Sequence, residues 1–199
     1  IRTIIAIMLL MTNAIIVHGK PTQERYENPD EPKPHEANWL PWLGEKLAES
    51  GIEVAIPQMP KPYYPVYEDW QNTFEKHHID SQTALVGHSA GAEFLLRWLA
   101  ENADQTAEQL VLVAPYRDFD MKYGDFSNYR LDRKVIERVG SVTIFNSTDD
   151  DLTINRRTDE LLGVVEGAEL IEFKDHGHFR IGHNMKTREF PKLLEVLSN

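Results

Sequence analysis

Not one of the 199 residues is a cysteine. That absence excludes a disulfide framework, a thiolate zinc site and a cysteine nucleophile. It also suits a reducing compartment, so a cytoplasmic location is the expectation. Basic residues are scarce: 21 Lys and Arg stand against 32 Asp and Glu, a formal net charge of −11. A surface of that sign repels phosphate backbones and anionic lipid heads, which argues against nucleic-acid and membrane partners. The unbroken apolar stretch 4–11 falls well short of the roughly 20 residues that cross a bilayer. With Arg2 ahead of it, this stretch has the form of a weak signal-peptide core. Cleavage near Ala14, however, would cut "AIIVHG", which reads as a buried strand entering a turn. The simpler reading takes Met11 as the natural start and the residues before it as an upstream extension that adds nothing to function. The chain then divides into an N-terminal extension (1–12) and one domain (13–199).

What is present points to a single α/β domain. Hydrophobic residues make up 41% of the chain and charged ones 27%, enough for one sizeable core. No internal repeat or low-complexity linker interrupts it. Short runs rich in Val, Ile and Leu, at 14–17, 52–56, 84–86, 109–113, 142–145 and 169–173, lack polar alternation, as strands buried on both faces do. Segments with helical periodicity lie between them at 39–49, 65–76, 90–102, 132–138, 155–162 and 187–197. The pattern predicts a central, mostly parallel sheet of about six strands with helices on both faces. Two segments break the rhythm: the proline-rich, acidic 20–38, and 116–130, dense in Tyr and Phe. Long loops at the C-terminal ends of such strands shape sites.

The stretch "TALVGHSAGAEFLLRWLA" runs from a strand through Gly87-His88-Ser89-Ala90-Gly91 into an amphipathic helix. G-x-S-x-G in that context is a nucleophile elbow, whose strained turn needs small residues two before and two after the serine. Ser89 would project from the turn tip, and the N–H of Ala90 at the helix start could stabilise an oxyanion. His88 points away from the nucleophile in such a turn and reads as packing or orienting.

A serine hydroxyl needs a histidine to take its proton, and that histidine needs a carboxylate to hold its far nitrogen. In elbow sheets the chain order is Ser, Asp or Glu, then His. The segment "ELIEFKDHGHFRIGHN" offers His176, His178 and His183. His178 sits in the loop after a strand, where a base would emerge, and is favoured over the other two. The acid falls in "FNSTDDDLTI", among Asp149, Asp150 and Asp151. Adjacent side chains in a turn diverge, so at most one or two can reach one imidazole. Proximity alone leaves the choice open. A second oxyanion donor is expected after the first strand, in "VHGKP", where Lys20 can offer an N–H and Pro21 cannot. The ammonium of Lys20 would be left for solvent or an acidic substrate group. The three aspartates with Asp175, His176 and His178 could also be read as metal ligands, but no recognisable ligand spacing supports that.

Taken together, "AIIVHG", "NWLPWLGEKL", "MPKP", "EDW", "LVGHSAGA", "STDD" and "DHGHF" resemble the YdeN-like serine hydrolases, the family that includes retinoblastoma-binding protein 9. The likeness runs from about Ala14 onward. It implies a single-domain α/β-hydrolase with a minimal lid, needing no cofactor or metal. The nucleophile would be Ser89, the base His178 in a Gly-His-Phe context, and the acid Asp150. Two departures stand out: Asp151 where the family often has proline, and the 20–38 insertion in place of a glycine-rich first loop. The function this implies is hydrolysis of small esters or amides through an acyl-enzyme, by a monomer or small homo-oligomer. Short, uncharged acyl groups are the expected preference, since no apolar lid is evident. A binding or adaptor role on a hydrolase scaffold, and acyl transfer to an acceptor other than water, are the alternatives.

Overall fold

The computed structural model describes residues 11–198; residues 1–10 of the expected extension lie outside them. The elements follow in chain order: β1 (Asn13–Val17), α1 (Gln23–Glu27), a 3-10 turn (Pro34–Glu36), α2 (Leu40–Glu49), β2 (Glu53–Ala55), α3 (Tyr67–Phe74) and β3 (Thr83–His88). Then come α4 (Ala90–Glu101), β4 (Ala107–Val113), α5 (Val135–Arg138), β5 (Val139–Ser147), α6 (Leu152–Leu162), β6 (Glu169–Phe173), the short strands β7 (Arg180–Ile181) and β8 (Asn184–Met185), and α7 (Pro191–Leu197). Strands β1 to β6 form one sheet in the order β2-β1-β3-β4-β5-β6, and every neighbouring pair is parallel. This is the parallel six-stranded sheet expected from the strand runs, and it fits the α/β-hydrolase fold that the resemblance implies.

Successive strand residues face opposite sides of a sheet, and here each side carries its own core. Ile15, Val17, Leu85, Leu110 and Leu112 pack with α3 and α4 through Trp70, Phe74, Phe94 and Leu95. Ala14, Ile16, Val86, Val111 and Val113 pack with α2 and α7 through Leu40, Leu43, Leu47, Leu193 and Leu197. Burial on both faces explains why the inner strands β1, β3, β4 and β5 read as largely apolar runs. No helix among the described residues is long and apolar enough to cross a membrane.

Several boundaries differ from expectation for local reasons. The last helix starts at Pro191, not near 187, because proline fits the first helical position and drives the residue before it out of helical geometry; Phe190 has φ −134° and ψ 68°. Helix α6 begins earlier than 155 because the Asp151 carboxylate caps it, accepting from the Thr153 N–H at 2.8 Å. The 132–138 helix shrinks to the single turn α5. The 20–38 insertion is partly helical: Thr22 Oγ1 accepts from the Arg25 N–H at 3.3 Å and starts α1.

One buried ion cluster ties the layer behind the serine together. Glu93 on α4, fully buried, accepts from Arg157 on α6 at 3.0 Å (Nε) and 3.2 Å (Nη2). Arg157 Nη2 also donates to the Tyr129 hydroxyl at 2.9 Å, which anchors the aromatic 116–130 segment.

Candidate active site

At the end of β3 the chain turns sharply: Ser89 has φ 55° and ψ −118°, a conformation non-glycine residues adopt rarely. The surroundings over-determine that turn. A Cβ on Gly87 would lie 2.5 Å from the Ala92 Cα, and one on Gly91 would overlap the carbonyl oxygens of Val17 and His18. Only hydrogen fits at either place. The Ser89 N–H donates to the Val113 carbonyl at 2.8 Å and the Ser89 carbonyl accepts from the Tyr116 N–H at 3.2 Å, pinning the turn to the end of β4.

His178 reaches the serine from the loop after β6. Its Nε2 lies 2.9 Å from Ser89 Oγ and its Nδ1 2.8 Å from Asp150 Oδ2. A carboxylate only accepts, so Nδ1 carries the proton and Nε2 is left to accept from the serine hydroxyl. The imidazole is 19% exposed and the Asp150 carboxylate 4%. Asp150 Oδ1 also accepts from the Asp151 N–H at 2.7 Å. Ser89, Asp150 and His178, remote in sequence, are thus one hydrogen-bonded chain.

The three adjacent aspartates do three different things. Asp150 holds His178, and Asp151 caps α6. Asp149 holds the loop that carries His178: its carboxylate accepts from the Gly177 N–H at 2.9 Å, from Ser147 Oγ at 2.5 Å and from the Asn184 amide. These bonds, led by that from Ser147, hold its pKa below the usual carboxylate value. Nothing in the spacing of Asp149 reveals these contacts with 177 and 184. Among the described residues, no group of three or more His, Asp or Glu side chains is arranged to hold a metal ion.

The remaining histidines sort by contact. His88 Nε2–H donates to the backbone carbonyl of His178 at 2.9 Å, so the residue before the serine supports the loop of the histidine opposite it. Burial, with His178 nearby, pushes the His88 pKa down to about 3. His18 supports the other wall. Its Nε2 accepts from the Met59 N–H at 3.0 Å, so its Nδ1–H donates to the Gly19 carbonyl at 2.9 Å. Burial lowers its pKa to about 4. His176 pairs with Asp175 at 2.9 Å, and His183 is exposed; neither joins the Ser89 chain.

The loop after β1 lies against the elbow: a Cβ on Gly19 would come within 2.9 Å of Ser89 Cβ. Lys20 follows it, and its ammonium sits over the Tyr123 ring, 4.3 Å from the centroid, instead of free in solvent. Ala90 is the first residue of α4 and is buried. Ser89, His178, Gly19 and Lys20 share a cavity of about 60 Å³ whose outer wall is the 20–38 insertion, through Arg25, Tyr26, Glu31 and Asn38, with Arg180 on the His178 side.

Comparison with known proteins identifies the family and the fold. A family model described as "Serine hydrolase" matches residues 22–199, a span that contains Ser89, Asp150 and His178 but not Lys20. YdeN of Bacillus subtilis is 29% identical over 155 residues, covering 71% of this chain and 78% of its own. Serine hydrolase RBBP9 of Rattus norvegicus is 27% identical over 168 residues, covering 81% of this chain and 85% of its own. The crystal structure of the B. subtilis ydeN gene product superposes with a TM-score of 0.73 at 25% identity, covering 94% of this chain and 96% of that one.

Proposed function

The chain belongs to the serine hydrolase family, and from that premise we propose that it hydrolyses small esters or amides through an acyl-enzyme carried on Ser89. The observation that carries this reading is the unbroken relay from Ser89 Oγ through the His178 imidazole to Asp150, with links of 2.9 and 2.8 Å. His178 Nε2 takes the hydroxyl proton as Oγ attacks the carbonyl carbon, and Asp150 stabilises the imidazolium that forms. The oxyanion of the tetrahedral intermediate is held by the N–H groups of Ala90 and Lys20, which belong to the two segments meeting at the elbow. When the intermediate collapses, His178 returns the proton to the leaving oxygen or nitrogen. Water, deprotonated by the same imidazole, then attacks the acyl-serine, and its breakdown frees the acid and regenerates Ser89. No cofactor enters any of these steps.

A fluorophosphonate probe tests the assignment. The wild type should be labelled and Ser89→Ala should not, while both unfold at the same temperature. Equal labelling of the variant would place the nucleophile elsewhere. A wild type inert to the probe and to every activated ester would favour the binding or adaptor reading. Turnover that rises with added alcohol, with acyl ester as product, would favour acyl transfer.

A further inference from the structure

We propose that the cavity beside Ser89 selects substrates bearing a carboxylate close to the scissile bond, and that Arg180 is the side chain that receives it. The inference rests on the hydrolase reading above and adds the class of substrate to it.

Arg180 opens β7, two residues beyond His178, and its side chain lines the same cavity as Ser89 and His178. Its backbone is fixed on both sides. The Arg180 carbonyl accepts from the His183 N–H at 3.0 Å, and the neighbouring Ile181 N–H donates to Asn38 Oδ1 at 3.1 Å. The guanidinium is not fixed in this way. Its Nε is shielded from solvent without an acceptor. Among the described residues, no carboxylate lies in ion-pair contact with it. A half-buried guanidinium with unspent donors is costly, and an incoming anion that accepts from it recovers that cost.

The other cations of the cavity are engaged. Arg25 Nη2 donates to Glu31 at 2.9 Å, and the Lys20 ammonium lies on the Tyr123 ring. Burial and the Arg25 charge depress the Arg180 pKa, while Asp150 and Glu31 act on it from beyond contact distance. Those two carboxylates also limit what can enter. Their field tolerates one added negative charge better than two, which favours a carboxylate over a doubly charged phosphate. The planar fork of arginine matches a carboxylate in two parallel bonds. The enclosed part of the cavity, about 60 Å³, holds about four to six water-sized groups at roughly 10–15 Å³ each, so the carboxylate that reaches Arg180 within it lies a short distance from the scissile bond. Shortness agrees with the preference expected from the sequence; the charge departs from it.

The test compares charged and neutral esters in pairs. Mono-4-nitrophenyl glutarate against 4-nitrophenyl pentanoate puts the carboxylate on the acyl side; 3-carboxyphenyl acetate against phenyl acetate puts it on the leaving side. In at least one pair, wild type should favour the charged ester about tenfold or more in kcat/KM. Arg180→Gln should lower that charged-to-neutral ratio by roughly 10- to 100-fold, with Arg180→Lys between, as expected for loss of a two-bond ionic contact. The pair that responds identifies the side. Free glutaramate, a monoanion whose amide stands in for the scissile carbonyl, should also inhibit the wild type competitively, more strongly than pentanamide, a measurement that needs no variant to fold. Turnover with neutral esters preferred in both pairs, or a ratio unmoved by Arg180→Gln, overturns the proposal and leaves the hydrolase reading intact. No turnover of any ester and no fluorophosphonate labelling would instead sink the hydrolase reading.

Discussion

Mild acid should destabilise this protein well before its carboxylates protonate. His18 and His88 flank the elbow, are 1% and 4% exposed, and have pKa values lowered by burial to about 4 and about 3 from an ordinary 6.5. As pH falls through 6.5 the unfolded chain binds a proton on each imidazole, while the folded state stays neutral. Stability is therefore full above pH 6.5 and is lost progressively down to the folded-state values. Each histidine costs about 1.4 kcal/mol per pH unit within that window. Between pH 6.5 and about 5 the loss is about 2 kcal/mol per histidine and about 4 kcal/mol for the pair, a large part of the 5–15 kcal/mol typical of a domain. Urea unfolding followed by tryptophan fluorescence at several pH values between about 7.5 and 5 measures it. His88→Gln, which keeps an N–H for the His178 carbonyl, should remove about half of the pH dependence. Stability flat across this range, or a slope unchanged in His88→Gln, would refute the reasoning.

Two further outcomes follow from the contacts. In the aspartate series, Asp150→Asn should lower kcat most, by up to about 10⁴ if it acts as a triad acid. Asp149→Asn should cost roughly 10- to 100-fold by letting the His178 loop shift, and Asp151→Asn should be nearly silent because asparagine also caps helices well. A larger loss in Asp149→Asn than in Asp150→Asn would contradict the assignment. Glu93→Gln, which leaves the buried Arg157 charge with only the partly exposed Glu160 at 3.4 Å, should cost up to about 3–5 kcal/mol in urea unfolding, whereas the double change Glu93→Met with Arg157→Met should recover most of it. A double variant no more stable than the single one would show that the cluster is not behaving as an isolated buried pair.

Much of the site was legible because its chemistry is local. Gly87, Gly91 and the strand–turn–helix context announce Ser89 within a few residues, and chain order narrows the base to the region of His178. Selecting Asp150 among three neighbours needed the family resemblance, since carboxylates in one turn differ only in direction. What stayed hidden depends on packing across the fold. Asp149 meets Gly177, His88 meets the His178 carbonyl, and Arg180 faces the serine cavity, with no sequence spacing to announce any of them. The inner strands were readable for the opposite reason: burial on two faces keeps most of their positions apolar. Helix ends slipped where a single residue governs, as at Pro191 and Asp151.

The His178 loop carries a consequence for when the chemistry becomes possible. Ser89 and His178 are 89 positions apart, and the loop is seated by contacts to His88, Asp149 and Asn38, all earlier in the chain. As the chain is synthesised, the elbow can form on β1, β3 and β4 long before its proton acceptor exists. Under the proposed mechanism, the serine is an ordinary alcohol until the His178 loop docks. On that mechanism, activity therefore waits on the completion of folding, and a chain that stops before residue 178 lacks the proton acceptor.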